Sequence, residues 1–592
     1  MRYTALPTLF LLTPLAFACD SSITVTSPAD SGFGSFRQAV SDVCDGGTIT
    51  FQLPAQSTIF LTSGPIAVAK SVAITGPNRA DLAIDGGGGQ ILITSGSTVS
   101  IQALTLQNAY TSAYDGSAII NSGSLQLTNV RVTGSAGLLG PVNNKTGASM
   151  TVKACLFDRN VGRSVAAVEN AGSLLVQNST FESNTSANSG ALDNQPGGVM
   201  TVEDSKFTNN SSTYGSGIAN GVLGDQSSQT TIRRCAFYGN HASYAAGAVY
   251  NGGGSVLISQ STISQNTGQQ GGALGNLGGA TMTIEYSTVD SNHATGAALD
   301  FPTGGGIRND GIFVLRYSAV TNNISNGSGG GFTNAFDGTF TILRSTFYGN
   351  QARSAQGGAI SAVFAGRGVI AFSTIVNNSD YFYNAGGVAT QGSRVNSIGT
   401  IIANNPTGNC DTTALVTRGF NISSDATCGF SGATDISGTD PLLGPLALNG
   451  GVTLTLAPML GSPAIDSGGT TGCSPSDQRG VPAPQNGICD RGAYEAAAIR
   501  GSMTYQYAAN DASKGSFTYL LLENNTWSDG VGGFGGYNYQ PGTAIVLTES
   551  PSTGCQARST GRVDSTGLAS GTRVCQDGSG VKGRWSGAIS VP

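Results

Sequence analysis

The sequence predicts an all-β protein: a parallel β-helix solenoid followed by a small C-terminal β-domain. Three observations carry this expectation. Two phrases, Phe-x-x-Asn and small-Ala-hydrophobic-x-Asn, recur at intervals of 24 to 31 residues, a period that marks a stacked solenoid. Gly supplies 87 of 592 residues and charged residues only 10%, where a globular chain carries about 25% charged residues. Each repeat holds one short β-rich run, such as Thr231 to Phe237, with no amphipathic stretch of helical length between runs.

From the N-terminus, residues 1–18 read as a signal segment: one Arg, an apolar run from Leu9 to Leu15, then Ala16-Phe17-Ala18 ahead of Cys19. The run is too short to span a bilayer, and no other stretch reaches the roughly 18 apolar residues a transmembrane helix requires. An exported protein, extracellular or at the cell surface, is expected, with lipidation of Cys19 as a rival fate. A hydrophobic share of 39% argues against disorder, and a net charge of −6 gives no attraction for nucleic acid. In an exported chain the ten cysteines suggest disulfides. Four local couples are expected: Cys19/Cys44, Cys410/Cys428, Cys473/Cys489 and Cys555/Cys575.

The solenoid is expected over residues 19–440, with repeats clearest over 100–405. One apolar column runs Phe157, Phe181, Phe207, Phe237, Ile263, Val289, Val320, Phe347, Ile375, Ile401, and extends upstream through Val132, Leu106 and Ile74. Five residues earlier a second column runs from Val152 to Ile370. Between them small residues recur, from Cys155 and Ser179 to Ser373, which implies one interior environment repeated coil after coil. Three residues after the Phe column, Asn160 to Asn378 can stack as an amide ladder, and a second Asn column runs from Asn170 to Asn334. Gly-rich phrases such as Ser189-Gly190-Ala191-Leu192 and Gly271-Gly272-Ala273-Leu274 are expected at corners where Gly tolerates positive φ. Cys155 and Cys235 share a column three coils apart, about 14 Å, beyond disulfide reach, so both are expected as buried free thiols.

The Phe-x-x-Asn phrases alternating with Gly-Gly-Ala-Leu/Ile resemble the repeats of polymorphic outer-membrane proteins. Ile23 to Val40 followed by Gly-Gly-Thr-Ile-Thr-Phe, and Gly461 to Glu495 with its Asp477-Gln478-Arg479-Gly480 and Cys489-Asp490-Arg491-Gly492-Ala493-Tyr494-Glu495, are similar to the start and end motifs of the choice-of-anchor Q family of secreted β-helix proteins. The resemblance implies a right-handed helix with a short amphipathic segment capping the first coil, and a terminal segment over 441–497. The sorting anchor usual after that end motif is missing, and the chain past Glu495 is short for a translocator barrel. Residues 498–592 instead read as a small β-domain stapled by Cys555 and Cys575, holding both Trp residues.

No cofactor is expected, and chemistry has weak purchase. An outward row reads Lys153, Gln177, Glu203, Arg233, Ser259, Glu285, Arg316; Glu203, Arg233 and Arg316 are the candidate catalytic residues if the chain is a polysaccharide lyase or glycoside hydrolase. Paired charges on a sheet surface are the plainer reading. Glu203 and Asp204 are adjacent in a strand and point apart, which weakens them as a hydrolytic pair. His241 and His293 stand two coils apart, too far for a shared metal, and calcium through Asp115, Asp193 or Asp204 lacks a binding-loop motif. The remaining class is non-catalytic adhesion or polysaccharide binding, with Tyr286 and Tyr317 on the rod and Trp527, Tyr537 and Tyr539 in the last domain as ring platforms. A structural envelope or matrix role is the third reading.

Overall fold

The computed structural model describes residues 19–592 except 297–301, 383, 412–414, 460, 471, 486 and 497; past 498 it describes the strands as backbone only. The chain winds as a parallel β-helix whose coils contribute to four sheets of 16, 16, 13 and 11 strands, followed by an eight-stranded antiparallel barrel. Fifteen spacings of about 4.8 Å make the rod about 70 Å long.

One coil shows how the repeat becomes structure. Ser173–Gln177 is a five-residue strand whose Leu174 and Val176 point inward. Asn178 turns the corner at φ 50, and Thr180–Glu182 sends Phe181 into the core. Ser183 turns again at φ 54, Thr185–Ser186 follows, and Leu192–Asn194 closes the circuit. Each strand pairs in parallel with its counterparts one coil above and below, so like residues stack. The rings of Phe157, Phe181, Phe207 and Phe237 lie nearly parallel at 4.9, 4.9 and 4.7 Å.

The corners use left-handed backbone at non-Gly residues, which costs on the order of 1–2 kcal/mol each. Polar ladders beside them offset that cost. The backbone N–H of Ser179 donates to Ser205 Oγ at 3.1 Å, and that hydroxyl donates to Glu203 O at 2.7 Å. In the first Asn ladder, Asn240 Nδ2 donates to Asn266 Oδ1 at 2.9 Å, and Asn240 Oδ1 accepts from both N and Nδ2 of Asn210. A second ladder runs through Asn194, Asn220, Asn251 and Asn276 at 2.9 Å per step.

Three sequence expectations shift by physical detail. Ile402 rather than Ile401 pairs with Ile375, because the ladder continues from Asn378 to Asn405, three residues after Ile402; Ile401 packs outward against the terminal segment. Ile84, not Ile74, continues the Phe column upstream, and Ile74 stacks in the neighbouring column with Ile101. At Gly190 and Gly272 the requirement is close approach rather than positive φ. A Cβ there would lie 2.0 Å from the carbonyl oxygens of Gly215 and Gly305 in the next coil.

Cys155 and Cys235 are buried free thiols in the Ser column, and burial pushes both up to about 11. Cys155 Sγ accepts the Val130 N–H at 3.4 Å, a weak version of the serine bond. Cys155→Ser and Cys235→Ser are therefore expected to fold and to leave the melting temperature unchanged or raised by a few degrees; a loss of 10 °C or more in calorimetry would contradict this account of the column.

Cys19–Cys44, Cys410–Cys428 and Cys473–Cys489 are disulfide-bonded. The sulfur of Cys19 is thus joined to Cys44. The helix Phe36–Asp42, N-capped by Ser35, buries Phe36, Ala39 and Val40 over the first coil. Among the described residues no helix is long and apolar enough to cross a membrane.

The segment 441–497 runs back along the rod and clamps its flank. Gln478 accepts from Thr346 Oγ1 at 2.7 Å, Ala493 N donates to Thr374 Oγ1 at 2.9 Å, and Arg491 Nη1 reaches Asn421 O at 2.9 Å. Asp477 takes the Glu495 N–H at 3.0 Å and pairs with Arg479, whose guanidinium lies 3.5 Å from the Tyr494 ring centroid. Arg344 is 0% exposed and joins rod to clamp: it donates to Gly492 O and pairs with Glu495. The end motifs are thus a buried clasp. In the barrel, strands run from Ala498–Tyr507 to Lys582–Ser590, and the first pairs with the last. The expected platform of Trp527, Tyr537 and Tyr539 and the Cys555/Cys575 couple rest on side chains outside the described residues.

Candidate functional site

The three-residue strands each present one middle side chain outward, in the residue before the second Asn column. In register these read Asn143, Glu169, Asp193, Ala219, Tyr250, Gly275, Arg308 and Thr333. Glu169 and Arg308 stand five coils apart, about 24 Å along the rod. The row carries an aromatic and basic group at one end and carboxylates at the other.

At the aromatic end lies a cavity of about 260 Å³ bordered by Tyr214, Tyr244, Tyr250, Gln270, Arg308 and Phe336, among others. Gly275 makes the depression: its place in the row lies between Tyr250 and Arg308, and it carries no side chain to fill the gap. Tyr214 packs against Tyr244 edge-on at 5.5 Å and against Tyr250 at 5.2 Å. Tyr244, Phe336 and Phe364 keep large exposed faces, and Phe336 stacks on Phe364 at 5.7 Å. Arg308 is held as a fork on Asp310, with Nε to Oδ1 at 3.1 Å and Nη2 to Oδ2 at 2.8 Å, and its Nη1 donates to Gln270 Oε1. The pair is buried, so the guanidinium is fixed in place before any ligand arrives.

At the other end Glu169 and Asp193 are parallel-strand partners, so their backbones stand about 4.8 Å apart. Burial pushes Glu169 up to about 7, reinforced by Asp193 and opposed by Lys145. Burial also pushes Asp193 up to about 7, against hydrogen bonds from Ser189 and Gln195. Lys145 pairs with Asp115 at 3.0 Å, and Asn143 Nδ2 donates to the same carboxylate at 3.0 Å. These folded values lie above the ordinary 4.5 and 3.8, so the folded carboxyls hold protons that the unfolded chain has lost. Their contribution to stability is full below about pH 4 and is lost as the pH rises through about 7. Asp490, raised to about 8 by burial and by Glu495, acts in the same direction in the clasp. The melting temperature is therefore expected to be lower at pH 8.5 than at pH 5. Glu169→Gln with Asp193→Asn should flatten that slope; a slope as steep as wild type in the double variant would refute the assignment.

The sequence-derived candidates lie on other faces. Glu203 is the register partner of Arg233 but accepts its hydrogen bond from Gln177 Nε2 at 3.1 Å. Arg316 pairs with Glu285 at 2.6 Å, and Asp204 with Arg234 at 2.7 Å. Within this row, among the described residues, Glu285 and Arg316 form the one ion pair, and Asp204–Arg234 pairs beside it. Tyr286 stacks on Tyr317 at 4.9 Å, but Tyr317 is only 8% exposed and its hydroxyl bonds Ser474 Oγ at 2.8 Å. Tyr317 is therefore a seat for the clasp and not an open platform; Tyr286 sits half-buried beside it. His241 is the exposed first residue of the strand His241–Ala245 and not a turn residue, and His293 Nε2 meets Asn326 Oδ1 at 3.2 Å. Among the described residues no three His, Cys, Asp or Glu side chains converge as a metal site. Sequence reading overlooked the Glu169-to-Arg308 row, although its signal was present: a charged or aromatic residue directly before successive ladder asparagines.

No protein-family model matches the chain, and no curated protein matches it. Similar solved structures include the alginate lyase AlyGC of polysaccharide lyase family 6, at 11% identity and TM-score 0.21, covering 68% of this chain and 89% of that one. Tailspike protein 3 of bacteriophage CBA120 is 13% identical with TM-score 0.24; the match covers 66% of this chain and 57% of the tailspike. Both are likenesses of fold, and the function is argued from this chain's own side chains.

Proposed function

We propose that the protein is an exported glycan-binding β-helix, acting without catalysis in adhesion or polysaccharide binding, and that it holds a sugar chain at the aromatic cavity beside Arg308. The observation that carries this reading is the cavity where three Tyr side chains and Phe336 surround the Arg308–Asp310 fork and Gln270. Aromatic faces accept the C–H faces of sugar rings, and a preset guanidinium and amide meet hydroxyls with little entropic cost. Export is supported by the signal-like N-terminus and by three disulfides. The resemblance to choice-of-anchor Q and polymorphic outer-membrane repeats points to the same surface setting.

Titration of residues 19–592 with a panel of neutral and acidic polysaccharides tests this. Tyr250→Ala and Arg308→Ala are each expected to weaken retention at least tenfold, and Gly275→Val to do so by filling the depression. Equal retention by all three variants would sink the proposal. A hydrolase is the second reading, favoured by one observation: Glu169 and Asp193 are register partners on adjacent strands, each with its carboxyl pushed up to about 7 by burial. Release of reducing ends by the wild type, abolished in Glu169→Gln, would establish that reading in place of simple binding; absorbance at 235 nm would reveal a lyase.

A further inference from the structure

On a different face, near the C-terminal end of the rod, Thr339, Phe340, Arg367, Val369, Arg394, Asn396 and Arg418 border an open depression of about 680 Å³. Arg367 and Arg394 are direct register partners, the first residues of adjacent strands. Like charges set opposite each other in a sheet are destabilising. Several arginines elsewhere on the coils meet carboxylates: Arg131 with Asp158, Arg234 with Asp204, Arg308 with Asp310, Arg316 with Glu285. Here, among the described residues, none of the three arginines forms an ion pair, and Arg418 is held in place through Asn396 Oδ1 at 3.0 Å. Three exposed cations gathered without an ion-pair partner form a local positive patch on a chain of net charge −6, a surface suited to an outside anion.

We propose that this depression binds an acidic polysaccharide through its carboxylate or sulfate groups. Guanidinium matches both groups with paired hydrogen bonds, and Asn396 and Thr339 supply polar contacts for sugar hydroxyls. A polysaccharide fits better than single-stranded nucleic acid. The bordering aromatic, Phe340, is buried and offers no face for base stacking. The site goes beyond the aromatic face proposed above: it lies on another sheet and recognises charge instead of ring faces.

The test uses residues 19–592 with polygalacturonate, dextran sulfate, uncharged dextran and single-stranded DNA as probes. Wild type is expected to bind polygalacturonate or dextran sulfate, more weakly as salt rises, and to ignore dextran at this site. Arg367→Glu with Arg394→Glu should weaken that binding at least tenfold, and Arg418→Gln severalfold. Arg367→Lys with Arg394→Lys keeps the charge and serves as the folding control, retaining most of the salt-sensitive binding. Tyr250→Ala should leave acidic-probe binding intact, so failure of the aromatic face and failure of this site read out separately. Preference of wild type for carboxylate or for sulfate would name the source of the anion. Unchanged binding in the folded Glu double variant, or tighter binding of DNA than of both acidic glycans, would overturn the proposal.

Discussion

Arg344→Ala is expected to detach the terminal segment from the rod and to destabilise the clasp by about 3–5 kcal/mol, the usual cost of leaving one member of a buried ion pair alone. In the wild type the guanidinium lies 4.8 Å from the Phe372 ring centroid, donates to Gly492 O at 3.0 Å and reaches Glu495 Oε2 at 3.3 Å. Glu495 also accepts the backbone N–H groups of Gln485 and Asp490, each at 3.1 Å, and Asp490 stands nearby with a carboxyl raised by that same charge. Without Arg344 the Glu495 carboxylate would face burial and a neighbouring acid with its arginine partner gone. Limited proteolysis should then cut within 441–497 while the coils remain protected. Arg344→Lys should rescue little, since one ammonium cannot both stack on Phe372 and serve two acceptors in the guanidinium geometry. Wild-type protease resistance in Arg344→Ala would show that the clasp is held by its other contacts.

Asn240→Ala is expected to cost about 3–5 kcal/mol, because several buried groups lose partners at once. Asn210 N and Nδ2 lose their shared acceptor, while Asn266 Oδ1 and Phe207 O lose a donor. Each orphaned buried group costs about 1–3 kcal/mol, partly recovered by relaxation or an entering water. Coils stabilise one another as nearest neighbours, so the damage should be local. Amide exchange should accelerate at residues 207–211 and 237–241 and leave the coils near Asn350 unchanged; uniform exchange along the rod would contradict ladder-based coupling. Asn240→Asp should fare no better, since an ionised carboxylate accepts but cannot donate to Asn266 or Phe207.

How much of this was legible depended on whether a residue's environment repeats. The Phe, Ser and Asn columns could be read directly, because parallel stacking gives equivalent positions in every coil the same neighbours and hence the same residue type. The slip at Ile401 arose at the doubled Asn404-Asn405, of which Asn405 joins the ladder and so fixes Ile402 as the column residue. The clasp motif was visible as a motif, but its role was not. Thr346 meets Gln478 across 132 residues and Tyr317 meets Ser474 across 157, and no periodicity links such partners. That is why Tyr317 read as an outward ring and proved to be covered.

The sequence by itself determined the coil: its period, its inward columns, its ladders, its unpaired thiols Cys155 and Cys235, and the couplings of Cys19, Cys410 and Cys473 with their near neighbours. Only the tertiary structure decided which outward residues meet. Outward positions escape the packing that enforces repetition, so their identities vary from coil to coil. Closing the circuit in the third dimension brings Tyr214, Tyr244 and Phe336 around Arg308, and sets Arg367 beside Arg394 with no carboxylate between them.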